Sequence, residues 1–112
     1  DRRVKDAFLP LLEREIQNMV GENALACDSY VHMINEKHFR RVCGLIDPGK
    51  VIFGGQADEK TLRIQPTILD RVTPDDAVMQ EEIFGPVLPV LTYDSIDEAL
   101  SFVNSREHPL AL

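Results

Sequence analysis

Along the first twenty residues, apolar side chains fall at three- and four-residue spacing: Val4, Phe8, Leu11, Leu12, Ile16 and Met19, with Arg, Lys, Glu, Gln and Asn between them. That is the stripe of an amphipathic helix, which Gly21 terminates. Pro10 lies inside the pattern and lacks an N–H, so it is expected to kink the helix or to mark its true start near Leu9. A second helix is predicted from about Glu36 to Ile46, with Asn35 as N-cap and Phe39, Val42, Cys43 and Ile46 as its buried stripe; Asp47-Pro-Gly49 stops it. Val51-Ile-Phe53 reads as a short strand running into Gly54-Gly55, where the chain can turn sharply, and Gln56 to Lys60 reads as a loop.

Ile64 to Leu69 has strand composition but contains Pro66, which belongs at an edge or a strand start because it cannot donate to a ladder. Thr73-Pro-Asp-Asp76 is a turn. Val87 to Thr92 is the most strand-like run, with Pro89 placed where one N–H is dispensable. Ser95-Ile-Asp-Glu98 matches a capping box that opens a third helix, with Ile96, Ala99, Leu100 and Val103 on one face and Phe102 at its border. This helix is expected to fray around Arg106 to His108, because Pro109 pushes His108 out of the helical region, and a last strand is expected from Leu110. Strands separated by helices give an α/β fold.

The chain has 112 residues, 44% apolar and 28% charged, which suits one globular core but is too short for both a complete cofactor domain and a substrate domain. Its net charge of -7 repels phosphate backbones, so nucleic acid is excluded as a partner. The basic pairs Arg2-Arg3 and Arg40-Arg41 read as solvated helix faces. No apolar run reaches the roughly 18 to 20 residues of a membrane span, and Asp1 to Asp6 is not a signal peptide. A soluble, cytoplasmic protein is expected, with any targeting segment lying outside a chain that starts without Met and stops in mid-pattern.

Cys27, His32, His38 and Cys43 form a conceivable zinc set, but neither cysteine has a second ligand two to four residues away. Neither thiol reads as a nucleophile: Asp28 is expected to raise the pKa of Cys27, and Cys43 sits late in a helix among apolar neighbours. No Gly-x-Gly-x-x-Gly or Gly-Lys-Ser/Thr loop is present to cradle a pyrophosphate, and Gly54-Gly55 is too short a signal. Asp75-Asp76 and Glu81-Glu82 are adjacent carboxylate pairs, a type most often merely solvated. The second pair differs in leading straight into Ile83-Phe84-Gly85-Pro86, an apolar run in which Gly allows unusual backbone angles and Pro fixes the next one. A carboxylate held there can accept two hydrogen bonds from a vicinal diol such as a ribose, beside the flat wall of an aromatic ring. The plainer alternative is a tight turn with Phe84 in the core and both glutamates in water.

The run Met79-Gln-Glu-Glu-Ile-Phe-Gly-Pro-Val87 resembles the EEIFGPV motif of the NAD(P)-dependent aldehyde dehydrogenases. Gln65-Pro-Thr-Ile-Leu69 is similar to the family's upstream strand, Gly54-Gly55 to its glycine turn, and Ser95 to Arg106 to the helix after its next strand. Ile34 to Val42 and Arg106 to Leu112 look more like the class 3 branch. The resemblance implies a fragment of the family's three-layer α/β/α catalytic domain, covering residues 1–112, with the Rossmann cofactor domain and the oligomerising segment outside this chain. It implies oxidation of an aldehyde to a carboxylate with NAD or NADP, through a cysteine thiohemiacetal and thioester, by an enzyme that is a homo-oligomer when complete. In this chain it assigns cofactor contacts to Glu82, whose counterpart binds the nicotinamide ribose hydroxyls, and Phe84, whose counterpart lines the nicotinamide side of the pocket. No catalytic residue is carried over: the family's nucleophilic Cys, general-base Glu and oxyanion-hole Asn all lie upstream of the first helix. The isolated piece is therefore expected to be inactive. The competing reading is a non-catalytic α/β interaction module that keeps the motif as a structural turn.

Overall fold

The computed structural model describes residues 1–106. A 3-10 turn at Arg2–Val4 leads into α1 (Lys5–Val20). Of the two outcomes Pro10 left open, the helix runs through the proline, because the opening residues are tied down. The Asp1 carboxylate accepts the Arg3 N–H at 2.8 Å, the Arg2 N–H donates to the Tyr93 carbonyl at 3.0 Å, and the Lys5 ammonium reaches Asp70 at 2.8 Å. Pro10 is exposed and lies inside the helix, where its missing N–H removes one bond to the carbonyl four residues back. Gly21 ends α1 at φ 78°, donating to the Gln17 carbonyl at 2.8 Å. The apolar stripe is a surface rather than a core face. Leu9 alone in α1 is buried, whereas Val4, Phe8 and Leu11 are about half exposed and Met19 is 82% exposed.

In α2 (Glu36–Gly44) the Asn35 side chain accepts the His38 N–H at 2.9 Å, as an N-cap should. Phe39 and Val42 are buried, while Cys43 and Ile46 are half-buried at the margin. The strands are β1 (Val51–Phe53), β2 (Ala57–Asp58), β3 (Arg63–Ile64), β4 (Thr67–Leu69) and β5 (Val87–Pro89). β1 and β4 pair antiparallel, β4 and β5 pair parallel with Thr67 opposite Val87, and the sheet order is β1-β4-β5. Pro66 precedes β4, the strand-start position expected of it.

The segment read as a loop at Gln56 to Lys60 instead contributes β2, which pairs antiparallel with β3. Asp58 organises the connecting turn by accepting the Lys60 N–H and the Thr61 hydroxyl, each at 2.9 Å. At Gly54, φ is 76° and a Cβ would lie 2.0 Å from the Pro66 carbonyl oxygen, so the glycine lets β1 close against the lead-in to β4.

α3 (Ile96–Asn104) is capped by Ser95, whose hydroxyl accepts the Glu98 N–H at 3.2 Å. The return bond of the expected box is displaced by one residue: Glu98 accepts the Asp94 N–H at 2.8 Å. The helix presents Ala99, Phe102 and Val103 as half-buried residues, while Ile96 and Leu100 face outward, so Phe102 belongs to the packed face. The Arg106 guanidinium covers the Phe102 ring at 5.0 Å. The last strand expected from Leu110, and Pro109 with it, lie outside the described residues. The core is formed by Phe39, Val42, Ile64, Leu69, Val72, Val78 and Val87, which joins α2 to the sheet. No helix among the described residues is long and apolar enough to cross a membrane.

Candidate functional site

The sheet and α2 together hold the turn at Glu81 to Pro86. On the strand side, the Pro86 carbonyl accepts the Thr67 N–H at 2.9 Å, so the end of the turn is continuous with the parallel β4–β5 ladder. Thr67 is itself buried and satisfied, its hydroxyl donating to the Gln65 carbonyl at 2.7 Å and accepting the Gly55 N–H at 2.9 Å. On the helix side, Gly85 packs against Val42. A Cβ at residue 85 would meet Val42 Cγ1 at 2.7 Å and Cγ2 at 2.9 Å. Close approach is what the glycine provides here; the left-handed backbone angle falls on Phe84 instead, at φ 48°.

Arg41 completes the frame. Its guanidinium donates to the Ile83 carbonyl at 2.5 Å, to the Glu81 carboxylate at 2.9 Å and to the Glu82 carbonyl at 3.5 Å, the last a long contact. Its neighbour Arg40 behaves as the sequence suggested, pairing on the surface with Glu36 and Glu59. Arg41 does not, and its role was hidden because its partners lie some forty residues downstream, beyond any helical periodicity.

These restraints divide the two glutamates. Glu81 is engaged by Arg41. The Glu82 side chain is exposed, and no donor among the described residues reaches its carboxylate. Phe84 is 71% exposed, which excludes the reading of the motif as a turn with Phe84 in the core. Its ring forms part of an apolar groove of about 560 Å³ whose other walls include Tyr30, Met33, Ile34, His38 and Pro86. Glu82 is not among the residues that line that groove. Tyr30 anchors the groove floor by donating to the Ile64 carbonyl at 2.8 Å, and burial raises its phenol pKa above the ordinary value.

The thiols are set apart from the turn in character. At Cys27 the Ser29 hydroxyl, 3.2 Å from Sγ, lowers the thiol pKa, with backbone N–H groups and the Arg63 charge assisting. This reverses the expectation that Asp28 raises it: local hydrogen bonding to the thiolate dominates. Cys43 is shifted the other way, by burial and then by Glu59. No group of three or more His, Cys, Asp or Glu among the described residues is placed to hold a metal ion.

These residues make an α/β unit that presents a glutamate and an aromatic ring on one turn pinned by α2 and the sheet. Residues 1–111 match the aldehyde dehydrogenase family, and the chain belongs to that family. It is 43% identical over 111 residues to the 4,4'-diaponeurosporen-aldehyde dehydrogenase of Staphylococcus aureus, covering 97% of this chain and 24% of that protein. It is 44% identical over 108 residues to rat aldehyde dehydrogenase family 3 member A2, covering 96% of this chain and 22% of that protein. Mouse dimeric NADP-preferring aldehyde dehydrogenase is 45% identical over 112 residues, 100% of this chain and 25% of its own length. The substrate-bound structure of S. aureus AldH superposes with a TM-score of 0.93 at 43% identity, over 96% of this chain and 24% of that one. An indole-3-acetaldehyde dehydrogenase in complex with NAD+ superposes at 0.77 with 32% identity, over 93% of this chain and 23% of that one. The chain thus spans about a quarter of the length of the relatives it matches.

Proposed function

We propose that this chain forms one wall of the nicotinamide site in an enzyme that oxidises an aldehyde to a carboxylic acid with NAD(P)+. The observation that carries the reading is the Glu81 to Pro86 turn, which holds Phe84 outward at a left-handed angle while Glu82 keeps an unengaged carboxylate. Neither feature contributes to the core. Glu82 accepts hydrogen bonds from the vicinal hydroxyls of the nicotinamide ribose, and the Phe84 ring gives the nicotinamide side of the pocket a flat apolar wall. When bound, NAD(P)+ supplies the hydride acceptor. The part played by this chain is to fix position, and misplacement by about 1 Å can cost roughly a hundredfold in rate.

In the complete enzyme a cysteine thiolate attacks the aldehyde carbonyl to give a thiohemiacetal, and a glutamate-activated water hydrolyses the thioester that follows. Neither Cys27 nor Cys43 supplies that thiolate, so the isolated 112-residue chain is inactive. The test is Glu82→Gln in the full-length enzyme, read first as NAD(P)+ dissociation constant without aldehyde and then as turnover. Weaker nucleotide binding and slower turnover are expected. Parental values for both would remove the ribose role and leave the motif a structural turn. Aldehyde oxidation by the isolated chain, abolished by mutating Cys27 or Cys43, would overturn the assignment of the nucleophile.

A further inference from the structure

The geometry points to Arg41 as the positioning residue of the cofactor-contacting turn, acting through the backbone that carries Glu82 and Phe84; this rests on the function proposed above. Three observations carry it. First, its guanidinium reaches three successive residues of the turn: the Glu81 carboxylate at 2.9 Å, the Glu82 carbonyl at 3.5 Å and the Ile83 carbonyl at 2.5 Å. A planar fork of five N–H donors can span such a set, whereas an ammonium offers a single point of charge. Second, the side chain is only 26% exposed, so its bonds are shielded from competing water more than those of Arg40, at 66% exposure. Third, the restraint acts just ahead of the strained residue. The carbonyl of Ile83 belongs to the peptide that enters Phe84, and Phe84 stands at φ 48° with little packing to keep it there. A bulky residue at such an angle persists only where its surroundings impose it. Gly85 against Val42 secures the far side of the same residue.

Arg41 touches neither cofactor nor substrate in this scheme. It fixes the peptide planes on either side of Ile83, and through them the direction of the Glu82 carboxylate and the Phe84 ring. Loss of the fork frees the turn while the β4–β5 ladder and the α2 core remain, because Thr67, Val87 and Val42 are held by contacts Arg41 does not make.

The experiment uses the full-length enzyme with Arg41→Met, Arg41→Lys, Glu82→Gln and the Arg41→Met/Glu82→Gln double variant. Each is measured for NAD(P)+ dissociation constant in the absence of aldehyde, for kcat, and for KM toward nucleotide and aldehyde separately. Arg41→Met is expected to weaken nucleotide binding and to lower kcat roughly 10- to 100-fold, with aldehyde KM unchanged. Arg41→Lys keeps charge and stem but not the fork, and is expected to show a smaller loss of the same pattern. Because Arg41 acts through Glu82 as well as Phe84, the loss of nucleotide binding in the double variant should fall short of the product of the two single losses. Parental nucleotide binding and kcat in Arg41→Lys, or in a folded Arg41→Met, beside a defective Glu82→Gln, overturns the inference alone. So does a double variant whose losses multiply. Parental behaviour of Glu82→Gln overturns the proposed function, and this inference with it. If Arg41→Met does not fold, the Arg41→Lys and Glu82→Gln comparison decides.

Discussion

Gly85→Ala isolates the contact on which the turn rests. The added Cβ would stand 2.7 and 2.9 Å from the two methyl carbons of Val42, closer than carbon atoms tolerate. Val42 cannot swing aside readily. It is a β-branched residue inside α2, where one χ1 rotamer dominates, and it is completely buried among core side chains. The backbone at residue 85 has no left-handed requirement, so the whole effect is overpacking, which costs about 1–3 kcal/mol. The strain is relieved most easily outward, by moving the Ile83 to Pro86 segment away from α2, and Phe84 and Glu82 move with it. Chemical denaturation should therefore show the loss in stability, and NAD(P)+ titration of the full-length enzyme should show weakened binding in the same variant. Val42→Ala removes the obstructing methyl groups and tests the cause. The double variant should be more stable than the sum of the two single losses predicts, by a coupling on the order of 0.5–3 kcal/mol. Additivity within about 0.5 kcal/mol would refute the contact as the source of the effect.

Two further outcomes follow from the charged groups. Lys50 and the Thr73 N–H hold the Asp76 carboxyl below its usual range, and at Asp70 burial pushes upward but is outweighed by Lys5 and its neighbours, which leave it lowered as well. A depressed native pKa means the unfolded chain binds protons more readily. This stabilisation is complete above the unfolded carboxyl value near pH ~3.9 and is lost as pH falls through the native values; thermal unfolding at pH 2–6 should flatten in Lys5→Met and Lys50→Met, and an unchanged acid slope in both would refute it. Of the two thiols, Cys27 should alkylate faster at neutral pH and slow in Ser29→Ala, because its thiolate is favoured while that of Cys43 is disfavoured by burial; peptide mapping that finds Cys43 modified first would contradict this.

The elements legible in the sequence were those whose signals are local. Asn35 and Ser95 announce their helices because a cap acts within three residues, and Pro66 marks the start of β4 because its missing N–H is a property of one position. What the sequence leaves open or hides is what a distant contact decides. The start of α1 depends on Tyr93 and Asp70, and the β2–β3 pairing depends on the Asp58 turn closing a register that composition does not encode. The pattern of the α1 stripe is legible but its exposure is not, since periodicity says which residues share a face and nothing about what covers them. At the candidate site, the motif itself was visible, whereas the division of labour between Glu81 and Glu82 required Arg41, and the reason for Gly85 required Val42.

Phe84 carries a further lesson about selection. An L-residue in the left-handed region pays about 1–2 kcal/mol for its backbone alone, and this one also leaves most of a large ring in contact with water. Asn or Gly at that position would ease the backbone and remove the exposed ring, so a screen that rewards heat resistance alone would favour their arrival. Under the proposed cofactor role, phenylalanine at this position favours nucleotide binding at the expense of stability. Laboratory evolution of this segment for robustness, without a nucleotide-dependent step in the screen, would drift toward sturdier proteins that hold the cofactor poorly.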